Sequence, residues 1–178
     1  MQSTGRAVVM GALKTALVAG ICIGPSLAAR AATATGTAQL VVVAPFTVVK
    51  TADLVFGNLI ASATSSTVTI NPNTLARTTT GGIIGASGAF HPAEFVTQGE
   101  PNRRVNIRLP NGSTLLTRVG GGATMTVTNF TRNGAPPNST PLDATGLLTF
   151  RVGGQLNVAA NQMPGSYVGS FTVEVQYQ

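Results

Sequence analysis

One cysteine, one histidine and no tryptophan occur in 178 residues, and only 9% of the side chains are charged. Each shortage closes off a class of chemistry. The cysteine, Cys22, lies in the apolar leader described below, so the exported chain is expected to carry no thiol. It then has neither a disulfide framework nor a thiolate metal site, and its stability rests on core burial and strand pairing. The lone histidine, His91, is followed by Pro92 and reads as a loop residue. A serine or cysteine nucleophile needs a histidine base held by a third group, and nothing around His91 has that form. A zinc site needs several such ligands. The five acids, Asp53, Glu94, Glu100, Asp143 and Glu174, are scattered and do not suggest a glycosidase carboxylate pair. The glycine run at 120–122 lacks the Lys-Ser/Thr of a phosphate loop. The expectation is no catalytic site, no metal and no cofactor. Without tryptophan, and with Tyr167 and Tyr177 its only tyrosines, the chain also offers few faces on which a sugar ring could stack.

What is present begins with a leader. Arg6 and Lys14 precede an uncharged, mostly apolar run at 15–29, and Ala29-Arg30-Ala31 offers a small-residue cleavage site, with Ser26-Leu27-Ala28 as an alternative. Basic, apolar, small: that order predicts a secretory signal peptide over residues 1–31. The run is shorter than the roughly 20 residues that span a bilayer and is interrupted by Gly20, Gly24 and Pro25, so no transmembrane anchor is expected after processing. Ile21 before Cys22 argues against lipidation at that cysteine. Removing residues 1–31 leaves 147 residues, enough for one self-supporting domain. Arg6, Lys14 and Arg30 leave with it, so 8 basic residues face 5 acidic ones and the net charge falls from +6 to +3. The whole-chain charge therefore overstates any case for nucleic acid.

The remainder alternates Val, Ile, Thr and Phe between short clusters of Gly, Pro and Asn, the pattern of β-strands. Strands are expected at 46–50, 53–57, 67–70, 94–97, 104–109 and 125–130. Two more are expected around Gly153-Gly154 within 147–158, and a last one over 167–177. Asn71-Pro72-Asn73, Gly81-Gly82, Pro110-Asn111-Gly112, residues 120–122 and Pro136-Pro137-Asn138 supply the turns. Alternation with one wet face favours antiparallel sheets. Many short strands at this spacing indicate an all-β fold, a sandwich or barrel of antiparallel sheets occupying 45–178. Arg103, Arg104 and Arg108 form the densest basic cluster. On a strand, Arg104, Asn106 and Arg108 share the solvent face opposite Val105, Ile107 and Leu109. No aromatic platform stands nearby, so a nucleic-acid partner is not expected.

The two ends carry the most specific pattern. Residues 32–44 form an arm in which Ala34, Gly36, Ala38, Leu40 and Val42 line one edge and polar residues line the other as far as Gln39. Extended, the stretch 34–42 reaches about 30 Å at roughly 3.3 Å per residue, the length of a sandwich. It is either the domain's own first strand or a strand added to a neighbour. At the other end Phe171, Val173, Val175 and Tyr177 alternate on one face, preceded by Gly165 and Tyr167.

This C-terminus resembles that of chaperone–usher pilins, which commonly close on an alternating strand with a penultimate tyrosine and a glycine fourteenth from the end; Tyr177 and Gly165 occupy those places. The arm resembles a pilin donor strand, with Gly36 as its glycine peg. The body is similar to a family of exported Ala/Thr/Gly-rich bacterial domains of unknown function, akin to the spore-coat-protein-U-like pilins. The matching stretches are Lys50-Thr51-Ala52-Asp53-Leu54, Phe56-Gly57, Gly99-Glu100-Pro101-Asn102, Leu109-Pro110, 125–130, Val152-Gly153-Gly154 and the terminus. Many pilins carry a disulfide; this chain does not. The resemblance implies a single Ig-like or pilin-like antiparallel β-sandwich, completed by its own strands or by a donor strand from a neighbour, and a role as subunit of a surface fibre. Such a subunit would be carried through the periplasm by a chaperone that covers a groove bordered by the C-terminal strand, handed to an outer-membrane usher, and joined to copies of itself or related pilins by donor-strand exchange. The competing expectation is a self-complete periplasmic or surface β-sandwich, a binding protein or adhesin that does not polymerise.

Overall fold

A computed structural model describes residues 39, 40, 42, 45–134 and 139–178. The compact unit is Val41–Gln178, and a first unit, Met1–Leu40, lies almost wholly outside the described residues. The leader, the pegs Ala34, Gly36 and Ala38, and the turn at 136–138 therefore fall outside them. Leu40 and Val42 are described, exposed and in no strand. Among the described residues no helix is long and apolar enough to cross a membrane.

The body is a β-sandwich of antiparallel sheets. Its strands are β1 (Thr47–Ala52), β2 (Leu59–Ile60), β3 (Ser66–Ile70), β4 (Arg77–Thr80), β5 (Ile84–Gly85), β6 (Ala93–Gln98), β7 (Arg104–Arg108), β8 (Thr114–Arg118), β9 (Thr124–Arg132), β10 (Thr140–Pro141), β11 (Leu147–Val158), β12 (Tyr167–Val168) and β13 (Glu174–Tyr177). The large sheet has eight strands in the order β1-β6-β11-β9-β8-β12, with β3 and β4 added beside the second half of β11. A three-stranded sheet, β10-β7-β13, covers one half of it, and the β2-β5 ladder belongs with the other half.

Two clusters make the core. Beneath the three-stranded sheet, Phe95 and Phe150 stack with centroids 5.4 Å apart among Ala93, Val105, Ile107, Leu142 and Val152. Under the β2-β5 ladder lie Val68, Ile83, Val127, Leu156 and Val158. β11 contributes to both, with Leu148, Phe150 and Val152 on the first and Leu156 and Val158 on the second. The clean alternation expected for 104–109 holds: Val105 and Ile107 are buried and Arg104 and Arg108 exposed. At the expected turn, Asn71 Oδ1 accepts from the Asn73 and Thr74 amides and links β3 to β4.

Three expectations need correction. Residues 53–57 form no strand; their ladder contact is an isolated bridge, Val55 to His91, while Leu54 and Phe56 pack against the core clusters. Gly153-Gly154 do not divide two strands, because β11 runs unbroken through them. A Cβ at Gly153 would overlap the Ile70 carbonyl and one at Gly154 would press on Val127, so these glycines permit close approach rather than a turn. Residues 167–177 are not one strand. Tyr167 and Val168 pair with β8 in the large sheet, and Glu174–Tyr177 pairs with β7 in the other. The chain changes sheets at Gly169, where a Cβ would collide with the Leu115 carbonyl.

Candidate docking groove

The sheet order can be set against the general plan of an immunoglobulin sandwich, in which strands A-B-E-D face C-F-G. Here β1-β6-β11-β9 take the A-B-E-D places and β7-β13 the C-F places, with every neighbouring pair antiparallel. Among the described residues no strand occupies the G place. β13 pairs with β7 along one edge, and no described strand pairs with its other edge.

The side chains around this edge register the gap. Phe171, Val173, Val175 and Tyr177 alternate with exposed Thr172, Glu174, Gln176 and Gln178, yet each remains only half-buried against the Phe95–Phe150 core. Opposite lies the other edge, β1. Val48 sits in register with Thr97, which is fully buried, and so shares its inward face; Val48 itself is 39% exposed. Lys50, in register with Phe95, is exposed too and ion-pairs with Asp53. Inward positions of an edge strand stay open when nothing lies across from them. An edge with no described strand beside it, above half-covered apolar side chains, is a template for another strand.

The two ends of β13 differ. At its C-terminal end, Tyr177 is pinned. Its hydroxyl accepts the Glu100 amide at 2.6 Å, its ring meets Phe46 edge-on at 5.1 Å, and the Arg103 guanidinium lies 5.6 Å from its centroid. Gly99 makes this possible, since a Cβ there would overlap the Tyr177 hydroxyl and the Phe46 ring. At the opposite end, where Phe171 packs on Phe130 at 5.0 Å, a hollow of about 460 Å³ opens between Arg108, Leu109, Asn111, Thr114, Ser170 and Glu174.

Of the residues singled out in the sequence, Phe171, Val173, Val175 and Tyr177 thus lie together under the free edge. Gly165 and Tyr167 do not join them. Gly165, at φ +147°, packs against Arg118 before β12, and the Tyr167 hydroxyl donates to the Met163 carbonyl beside β8. His91 is half-buried, with Nδ1 3.2 Å from its neighbour's carbonyl. Glu94 pairs with Arg151 at 3.0 Å and Glu100 with Arg103 at 3.2 Å. Asp143 Oδ1 accepts the Thr145 hydroxyl and the Thr145 and Leu147 amides, which hold its carboxyl below the ordinary range. These acids organise loops and sheet faces, and among the described residues no cluster of His, Cys, Asp or Glu could hold a metal.

Two features escaped the sequence pattern. Phe46 and Gly99 build the closed end of the groove; in sequence Phe46 is only the start of an expected strand and Gly99 only part of a stretch that carries the resemblance. Arg77 had no signal. It donates to the carbonyls of Phe56, Asn58 and Ala86 and stacks over Phe90 at 4.5 Å, tying together the loops that seal the second core.

The fold and groove define an all-β sandwich domain in which the outer edge of β13 has no described partner. Within that class, the chain belongs to the family described as domain of unknown function DUF4402, whose model matches residues 46–177. No curated protein and no solved structure matches it significantly.

Proposed function

We propose that the protein is a structural subunit of a bacterial surface fibre, assembled when the arm of one copy adds a strand to the free edge of another. The observation that carries this reading is the half-buried row Phe171, Val173, Val175 and Tyr177 on an edge with no described neighbour in the G place. The arm at 32–44 has the length and alternation to fill that place, with Ala34, Gly36, Ala38, Leu40 and Val42 against the core. Insertion from one copy to the next is a head-to-tail contact that does not close on itself, and such contacts build filaments. The leader sends the chain to the periplasm and then the surface. A chaperone shields the edge in transit, an usher exports the subunit, and no catalysis is involved.

The test is deletion of residues 32–43. The truncated body should fold with a chaperone, be incorporated only where its own edge is filled, and donate to no other copy. Leu40→Asp should behave likewise, because a buried unpaired charge costs several kcal/mol. If the protein is instead a self-complete binding domain, deletion unfolds it and the unmodified chain purifies as a chaperone-free monomer.

A further inference from the structure

The positions of Phe46 and Phe171 at opposite ends of β13 constrain how two copies meet. A strand entering the G place runs antiparallel to its F neighbour in the sandwich plan, and antiparallel pairing is the more stable per residue. With the pegs facing the core and the last of them, Val42, taken as seated beside Phe171 of the acceptor, that sense puts Gly36 of the donor beside Tyr177. Only Val43, Ala44 and Pro45 then separate the seated arm from the donor's Phe46. Four steps at about 3.6 Å reach at most about 14 Å. The donor's own body must therefore begin within that distance of the acceptor's Phe171. Phe46 is fixed to Tyr177 and the Gly99-Glu100 turn, so this is the part of the donor that arrives.

From this we infer that consecutive copies also touch end to end: the hollow beside Phe171 in the acceptor receives the turn at 99–103 of the donor. The inference rests on the strand-addition reading above and adds a second, body-to-body interface to it. The chemistry of the two ends suits each other. Arg108 and Glu174 face each other across the β7-β13 ladder without forming an ion pair, and both line the hollow. The arriving turn carries one charge of each sign, Glu100 and Arg103, together with exposed Pro101. Entry in the parallel sense would place the donor body at the Tyr177 end instead and leave the hollow empty.

Two single-cysteine chains test this, Pro101→Cys and Asn111→Cys, each combined with Cys22→Ala so that no other thiol is present. Both sites are exposed, Pro101 in the arriving turn and Asn111 at the border of the hollow. The two chains are allowed to polymerise as a mixture and treated with a short bis-maleimide. The expected result is heterodimeric cross-links between position 101 of one copy and position 111 of the next, absent when either chain is used alone and absent at low concentration before assembly. Polymer that cross-links Pro101→Cys chains to each other, or not at all, overturns the end-to-end contact while leaving strand addition standing. Failure of the unmodified chain to polymerise removes the strand-addition reading itself.

Discussion

At the scale of single residues, the side chains that matter most are those whose role depends on partners distant in sequence. Arg77 spans three carbonyls from two loops and lies over Phe90, so its loss leaves acceptors without their charged donor. Hydrogen bonds to charged groups contribute about 1.5–3 kcal/mol, and Arg77→Leu should destabilise the body by about 2–3 kcal/mol, read as a lower urea midpoint with unchanged slope. Asp143 has a different signature. Thr145's hydroxyl and the neighbouring amides favour its charged form, so its pKa is lower folded than unfolded. The stability it contributes is present above the ordinary aspartate range and is lost as pH falls through the depressed folded pKa. Asp143→Asn should flatten the acid limb of a stability–pH curve and leave the curve's shape above neutrality unchanged. Neither role could be found in the sequence. Arg77 looks like any surface arginine in a threonine-rich stretch, and Asp143 like one of five scattered acids.

Among the elements, legibility followed how one-sided the burial is. β7 and β6 each have one buried face and one wet or half-wet face, so period-two alternation located them to within a residue or so. β4 and β8, with Arg-Thr-Thr-Thr and Thr-Leu-Leu-Thr-Arg, bury no residue fully and carry no apolar alternation in sequence. Glycine was ambiguous in a specific way. In the Gly81-Gly82 pair, positive φ makes a turn, whereas Gly153 has no such φ and serves close packing against Ile70. Sequence alone cannot separate those uses. Gly153→Val should force β3 and β11 apart and cost about 1–3 kcal/mol, measurable by thermal unfolding, while the strand itself persists. The alternation from Phe171 onward is legible in the sequence and present in the fold. The crossing of the C-terminal segment between sheets was not legible, because it depends on the fit of Gly169 against Leu115.

For the whole molecule, cohesion comes from two apolar clusters, and the outer edge of β13, which has no described partner, is on the proposed reading the function. If Cys22 leaves with the leader, no disulfide constrains the unfolded chain, and the melting temperature of the exported protein should be the same with and without reductant. The most direct measurement of the central claim compares molar mass and shape in solution for two forms of the chain without residues 1–31, the unmodified one and one with residues 32–44 moved to follow Gln178 through a short flexible linker. In the second form the arm can turn back antiparallel to β13 and fill its own edge, and the G place follows F in chain order as in a complete sandwich. The account predicts that the rearranged chain is a compact, stable monomer, while the unmodified chain grows with time into elongated polymers once free of chaperone. A stable monodisperse monomer from the unmodified chain, no less resistant to unfolding than the rearranged one, would contradict it.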